Sequence, residues 1–114
     1  MSPAKRNDRV APPAEPGKWE MRFGTSDAAK SWEELCRQAP GNTRKAWEKI
    51  LADPRPHPPD GRHHQLKGKL ATVDGLKQWQ VEVTNGGRIW CVIDDARKTI
   101  YLRFASTGHP KMTD

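Results

Sequence analysis

The amino-acid sequence predicts an α+β fold, with two N-terminal helices packed on one face of a mostly antiparallel, four-stranded sheet. Apolar and polar residues alternate in one short segment before residue 25 and in three segments after residue 78. Between them, apolar residues recur at helical spacing in two consecutive stretches. Glycine, proline and asparagine separate these segments, as expected of turns. A chain of 114 residues suffices for one domain around a single core.

The first half of the predicted domain contains one strand and a helical hairpin. Trp19–Gly24 alternates as a strand, and Thr25 or Ser26 is a suitable cap for the helix that follows. Pro40-Gly41 is predicted to break that helix, and Asn42 to cap a second one. The apolar residues of the first helix are Ala28, Trp32, Leu35, Cys36 and Ala39, and those of the second are Ala46, Trp47, Ile50 and Leu51.

A proline-rich loop connects the helices to the remaining strands. Asp53–Arg62 contains four prolines and a glycine, which excludes regular structure there. Leu66–Val73 follows as a short extended segment, and Asp74-Gly75 is a turn sequence.

Three strands are predicted in the last third of the chain. Trp79–Val83 and Arg88–Asp94 form a hairpin, because Asn85-Gly86-Gly87 between them accepts positive φ. Asp95–Lys98 then turns the chain into the third strand, Thr99–Phe104.

The two faces of the predicted sheet differ in character, because successive side chains of a strand point to opposite faces. The face expected to pack on the helices carries Val81, Val83, Ile89, Cys91, Ile93, Ile100, Leu102 and Phe104. The opposite face is expected to be open, and it carries Gln80, Glu82, Arg88, Trp90, Tyr101 and Arg103.

Charge and composition predict a cytoplasmic protein with a polyanionic partner. The net charge is +6 at pH 7, which favours such a partner. No apolar run approaches the about 18 residues of a membrane span, and the N-terminus lacks the apolar region of a signal peptide. Cys36 and Cys91 are predicted to be buried thiols in a reducing compartment.

Residues 1–18 are predicted to form a disordered, basic arm, and residues 19–114 the single folded domain. The arm contains four prolines and shows no periodicity. Its four basic and two acidic residues contribute +2, which leaves +4 of the +6 on the domain.

Several short motifs follow one another in a distinctive order. After the helical hairpin come Gln65-Leu66-Lys67-Gly68, Gly87-Arg88-Ile89-Trp90 at the start of a strand, the Asp94-Asp95 turn, and Gly108-His109 near the end. From Trp19 to about Lys111, this order resembles the RelE/ParE superfamily of bacterial toxins, most closely its RelE and YoeB-like branch. The resemblance implies a toxin that cleaves messenger RNA in the ribosomal A site without metal or cofactor. It also implies a cognate antitoxin that wraps over the toxin and inhibits it.

The resemblance assigns the catalytic roles. Metal-free RNA cleavage requires deprotonation of the 2′-hydroxyl, stabilisation of the scissile phosphate and protonation of the departing 5′-oxygen. Arg88 corresponds to the family arginine that contacts the phosphate; the alternative is a salt bridge to Glu82 across the hairpin. His109 corresponds to the histidine that donates or accepts a proton, and its usual pKa suits either role. Lys111 is expected to support the leaving group or a phosphate.

The general base does not match the family residue for residue. RelE-like members carry lysines where this chain has Gln80 and Glu82, and YoeB-like members carry a glutamate where it has His64. Glu82 or His64 is therefore the expected base, and Arg88 beside Glu82 would favour the ionised carboxylate.

A further set of residues is predicted to bind RNA through its phosphates and bases. Trp90 is placed to stack on an unpaired base. The set consists of His64, Lys67 and Lys69 from a basic cluster that also includes Arg62 and His63, together with Gln80, Trp90 and Arg103 from the open face. His57, His63 and His64 lack the spacing and companion ligands of a zinc site, so no metal is expected.

Two functions of other classes fit the same sequence. One is a ParE-like gyrase poison, which acts by binding and needs neither Glu82 nor His109. The other is a catalytically inactive module of the same fold that binds RNA or protein.

Overall fold

The fold is α+β, with two helices and a six-stranded sheet in the described residues. The computed structural model describes residues 4–10, 14–59 and 61–107. Its elements are β1 Glu20–Phe23, α1 Ser26–Gln38, α2 Pro40–Ala52, β2 His63–Gln65, β3 Thr72–Val73, β4 Leu76–Glu82, β5 Arg88–Asp94 and β6 Thr99–Ser106. The predicted class and the mostly antiparallel sheet are confirmed. The predicted four strands are wrong, because β2 and β3 are too short to show an alternating pattern.

Five strands follow one path across the sheet, in the order β1-β6-β5-β4-β2. β1 runs parallel to β6, whereas the other neighbours are antiparallel. β3 pairs with β4 beside this path. β2 is therefore the edge strand next to β4, and β1 closes the opposite end of the path.

The helical hairpin begins and turns at residues that explain its boundaries. Thr25 has an extended backbone, and its hydroxyl oxygen accepts a hydrogen bond from the Ala28 N–H at 2.9 Å, so it caps α1 as predicted. Pro40 begins α2, whereas the sequence predicted a break there and a cap at Asn42. Proline suits the first helical position, where its missing N–H has no intrahelical acceptor. Ala39 alone separates the two helices.

The core lies between the helical hairpin and one face of the sheet. Its buried residues from the helices are Ala28, Ala29, Trp32, Leu35, Ala46 and Ile50, and those from the strands are Met21, Phe23, Val81, Ile89, Cys91, Ile100, Leu102 and Ala105. Most of the predicted core residues are thus confirmed.

Phe104 was predicted to face the helices, and this is wrong. Trp90 pairs with Phe104 and Cys91 with Leu102, so Arg103 is an extra residue in β6. Such a bulge reverses the alternation beyond it, which moves Phe104 to the other face. There its ring lies 4.6 Å, centroid to centroid, from that of Trp90.

The segment between β2 and β4 is not continuously extended, as Leu66–Val73 was predicted to be. A 3-10 turn covers Gly68–Leu70, and Gly68 adopts a φ of 61° that interrupts an extended chain. The carbonyl oxygen of Ala71 accepts a hydrogen bond from the Gln65 side-chain amide at 3.0 Å. Asp74 and Gly75, with φ values of 51° and 82°, form the predicted turn.

Residues 4–10 lie against β1 and add to the edge of the sheet. The Val10 N–H donates to the Met21 carbonyl at 2.8 Å, and the Phe23 N–H donates to the Asp8 carbonyl at 2.9 Å. Val10 is 1% exposed and belongs to the core. Residues 4–10 are thus placed against the sheet, whereas the disorder predicted for residues 1–18 as a whole stays a prediction. An edge strand offers unpaired main-chain groups, and here this segment occupies several of them.

Two other expectations concern the thiols and the membrane. Cys36, half-buried on α1, and Cys91, buried on β5, are both free thiols. In the described ranges, neither helix has the length and apolar character to cross a membrane.

Candidate nucleic-acid interface

Glu82 and Arg88 face each other as the last pair of β4 and β5 before the loop that connects them. We call this position the hairpin mouth. The Arg88 Nη2 lies 4.0 Å from a Glu82 carboxylate oxygen. Its Nη1 donates to three main-chain carbonyl oxygens of the loop: Thr84 at 3.0 Å, Asn85 at 3.2 Å and Gly87 at 3.0 Å. Of the four predicted catalytic residues, these two are brought together in the described structure.

The hairpin loop packs closely around Gly87. The Gly87 N–H donates to the Thr84 hydroxyl at 2.8 Å. A Cβ at Gly87 would lie 2.7 Å from that hydroxyl oxygen and 3.2 Å from the Ser106 carbonyl. The loop therefore packs closely on itself, and its carbonyl groups converge on the Arg88 guanidinium.

The sequence predicts Arg88 on an open face of the sheet, but its side chain is largely buried. It is 8% exposed, and its Nη1 is engaged by the loop. The salt bridge to Glu82, which the sequence offered as the alternative to phosphate binding, is present at 4.0 Å. A phosphate at this position would compete with Glu82 for Nη2. The phosphate role of Arg88 stays a prediction.

Four side chains form a row across the sheet on the face away from the helices: His64, Gln80, Trp90 and Phe104. The Trp90 indole N–H donates to the Gln80 side-chain oxygen at 2.8 Å. Trp90 is 4% exposed and Gln80 is buried. The expectation of an open face at these two residues is therefore wrong. As placed, the indole exposes too little surface to stack on a base, because the tilted Phe104 ring and the paired amide occupy its surroundings.

A basic cleft of about 530 Å³ lies between α2 and the β4–β5 hairpin. Lys45 and Lys49, one helical turn apart on α2, line one side, and Arg62 and Glu82 belong to the same lining. Three cations thus meet one carboxylate, and that carboxylate faces Arg88. The remaining lining residues are Asn42, Ala46, Val83, Thr84 and Asn85. We call this the basic cleft.

A second concavity of about 600 Å³, which we call the β2 pocket, includes His64 and Gln65 of β2 in its lining. It brings together His64 and Lys67, which the sequence predicted to bind RNA, with Trp79 from β4. The other lining residues are Arg55, Pro56, His57, Pro59, Gly61 and Gln65. The His64 Nδ1 lies 3.1 Å from the Gln65 carbonyl oxygen. In the tautomer that donates this hydrogen bond, Nε2 carries the lone pair, which is the form that a general base requires.

The remaining predicted site residues, both RNA-binding and catalytic, are not brought together in the described structure. Lys69 is exposed on the 3-10 turn. Arg103 is half-buried in the β6 bulge, where its Cδ lies so close to Gly24 that a Cβ there would be 2.8 Å away. His109 and Lys111 lie outside the described residues. In the sequence, His109 follows Ser106 by three residues, and Ser106 pairs with Arg88.

His63 and Arg55 fix the proline-rich loop, a role that the sequence did not indicate. The His63 ring is buried, with its Nε2 3.0 Å from the Pro54 carbonyl oxygen and its centroid 5.6 Å from that of Trp79. The Arg55 guanidinium binds both carboxylate oxygens of Asp95, at 2.5 and 2.6 Å. These hydrogen bonds hold the pKa of Asp95 below its usual value. The start of the loop is thus attached to β2 through His63. Arg55, the next loop residue, attaches it to the β5–β6 turn.

Neither thiol has the properties of a nucleophile. Burial raises the pKa of Cys91 to about 12. Partial burial and, to a smaller extent, the charge of Glu33 raise the pKa of Cys36. Nucleophilic cysteines show the opposite shift. No group of three or more metal-ligating side chains converges within the ranges that the structure describes.

Lys45 and Lys49 are not among the site residues predicted from the sequence. Their four-residue spacing on a predicted helix was a usable signal, since side chains at that spacing share a face. What the sequence could not supply was the hairpin loop that forms the opposite side of the basic cleft.

Comparison with family models, with curated proteins and with solved structures finds no match to this chain. The resemblance to the RelE and YoeB-like toxins therefore depends on the short motifs and on the order of the elements.

Proposed function

We propose that this protein is the toxin of a bacterial toxin–antitoxin pair, and that it cleaves messenger RNA on the ribosome. The observation that carries the proposal is the basic cleft, in which three cations lie beside the Glu82–Arg88 pair at the hairpin mouth. Concentrated positive charge in a concave surface attracts and orients a phosphate backbone. The helical hairpin on one face of a mostly antiparallel sheet is compatible with a RelE-like fold, which is part of the proposal.

The proposed chemistry divides the roles among residues on neighbouring strands. Glu82 or the Nε2 of His64 removes the proton from the 2′-hydroxyl, which then attacks the adjacent phosphate. The Nη2 of Arg88 contacts the phosphate oxygens when RNA displaces Glu82 from it. His109 protonates the departing 5′-oxygen, and Lys111 supports this step. Much of the rate is then supplied by the ribosome, which holds the RNA in line for attack.

The function is tested by pulse labelling after induced expression in bacteria that lack the cognate antitoxin. We expect incorporation of a labelled amino acid to stop before incorporation of labelled thymidine, because messenger RNA is the target. Co-expression of the protein encoded by the adjacent reading frame should restore growth. Unchanged amino-acid incorporation at a verified level of folded protein would contradict the proposal.

A second candidate is action by binding alone, as in a ParE-like gyrase poison or an inactive module. The observation that favours it is the engagement of Arg88 by three loop carbonyls and Glu82. A gyrase poison would stop thymidine incorporation first and would inhibit DNA supercoiling by purified gyrase. An inactive module would change neither amino-acid incorporation nor thymidine incorporation.

A further inference from the structure

The two lysines of the basic cleft have no role in the catalytic scheme, although they lie beside it. We propose that the cleft is a phosphate-binding subsite for single-stranded RNA, with Lys45 and Lys49 as its principal cations. That the ligand is RNA rests on the proposed function, whereas the preference for phosphate rests on the cleft itself.

The charge arrangement on α2 is unfavourable in the absence of a ligand. Lys45 and Lys49 are exposed and four residues apart, so their ammonium groups share one face of the helix. Like charges at this spacing repel each other. Within the described residues, no ion pair or hydrogen bond neutralises either lysine, whereas Arg44 on the same helix is paired with Glu48. An anion between the two ammonium groups would remove the repulsion.

The lining of the cleft also offers neutral polar groups, from both of its sides. Thr84 and Asn85 belong to the hairpin loop, and Asn42 lies one turn before Lys45 on α2. Amide and hydroxyl groups contribute many of the contacts that position a phosphate backbone. The volume of about 530 Å³ is within the range of nucleotide-sized sites.

The lining favours RNA over an acidic peptide. Its only apolar members are Ala46 and Val83, and Ala46 is buried. Peptides gain most of their affinity from large apolar or aromatic side chains in desolvated pockets, and this cleft offers none. Nucleic acid needs no apolar floor, because its affinity comes largely from the phosphates.

The position of the cleft relates it to the reaction. Glu82 lines the cleft and faces Arg88 on the neighbouring strand. A phosphate held by the two lysines would therefore place the adjoining nucleotides at the hairpin mouth. The subsite orients the RNA for cleavage, and the lysines are positioning residues.

The test is the salt dependence of binding to a fluorescent, single-stranded RNA of about ten nucleotides, within the usual site size of such proteins. Full-length wild type is compared with Lys45→Gln/Lys49→Gln by anisotropy. We expect the slope of log K against log salt to become shallower by about 0.7, because the two lysines hold one phosphate and each lost phosphate contact contributes about 0.7 for single strands. The matched control is Lys30→Gln/Lys77→Gln, which removes two exposed lysines outside the cleft and should leave the slope unchanged.

Several outcomes would overturn the subsite. An unchanged slope in the cleft variant would do so, as would an equal change in the control, since that would indicate diffuse attraction. Displacement of the RNA by poly-glutamate with the same dependence on the two lysines would show a peptide site instead. Equal thermal midpoints of the three proteins exclude misfolding as the cause of any change.

The test separates the subsite from the proposed function, because it uses neither ribosomes nor cleavage. A shallower slope in a protein that does not stop amino-acid incorporation supports the subsite and contradicts the toxin function. Arrest of protein synthesis together with an unchanged slope supports the function and contradicts the subsite.

Discussion

At Arg88, one guanidinium nitrogen binds three main-chain carbonyl oxygens while another faces Glu82. The sequence identified the residue and both of its possible roles, but it predicted a side chain on an open face. It could not predict the burial, because the convergence of the loop carbonyls depends on the close packing at Gly87. The open-face position predicted for Trp90 is wrong for a similar reason, because Gln80 and Phe104 cover its ring.

Arg88→Ala should destabilise the fold, contrary to what an open-face position implied. Loss of charge-assisted hydrogen bonds to the loop should lower the free energy of unfolding by about 1–3 kcal/mol. For a domain of this size, each kcal/mol corresponds to about 4–8 °C in thermal midpoint. The measurement is thermal unfolding beside Arg97→Ala, whose side chain is 74% exposed.

Arg97→Ala should leave the midpoint within a degree or two of wild type, since exposed pairs contribute little. An Arg88→Ala protein as stable as this control would show that the loop contacts do not stabilise the hairpin. If it also lost cleavage, Arg88 would be a phosphate ligand with little structural role.

Helices and strands with a strong periodic pattern were predictable from the sequence, whereas strands of two or three residues were not. Arg88–Asp94 has the predicted bounds of its strand, and Thr25 caps α1. β2 and β3 are three and two residues long, so they have no detectable period. The β6 bulge depends on pairing between strands, which a single segment does not show. The sequence predicts the proline-rich loop but not its attachments: Arg55 binds Asp95, 40 positions later, and the buried His63 ring contacts the Pro54 carbonyl.

The Arg55–Asp95 pair should make the stability of the fold depend on acid pH. The pKa of Asp95 is lowered from 3.8, so the ion pair contributes to the free energy of unfolding above pH 3.8. This contribution is lost as the pH falls through the lower pKa of the folded state. Asp95→Asn should therefore be less stable than wild type at neutral pH. The difference should shrink when urea unfolding is repeated below pH 3.8.

Asp74→Asn is the matched control for this comparison. Asp74 is an exposed turn residue at a φ of 51°, which asparagine also tolerates, and no ion pair in the described structure involves it. Its stability should match that of wild type at neutral pH. If the deficit of Asp95→Asn persisted unchanged in acid, the ion pair would not be its cause.

For the whole molecule, the fold class and the excess of positive charge were both predictable from the sequence. The described structure locates part of that charge in the basic cleft and part around the β2 pocket. The sequence selected Lys67 and His64 from the second group but not Lys45 and Lys49 from the first. Residues on α2 and on the hairpin are about 40 positions apart, and only the tertiary fold brings them together.

The proposed cleavage of messenger RNA in the ribosome is tested by comparing two copies of one message. One copy is translated in a purified system, and the other has its start codon removed so that it is not. Primer extension then maps the 5′ ends produced by the wild-type protein. We expect new ends within the open reading frame of the translated copy alone. Equal cleavage of both copies, or no new ends with folded protein and active translation, would contradict the proposal.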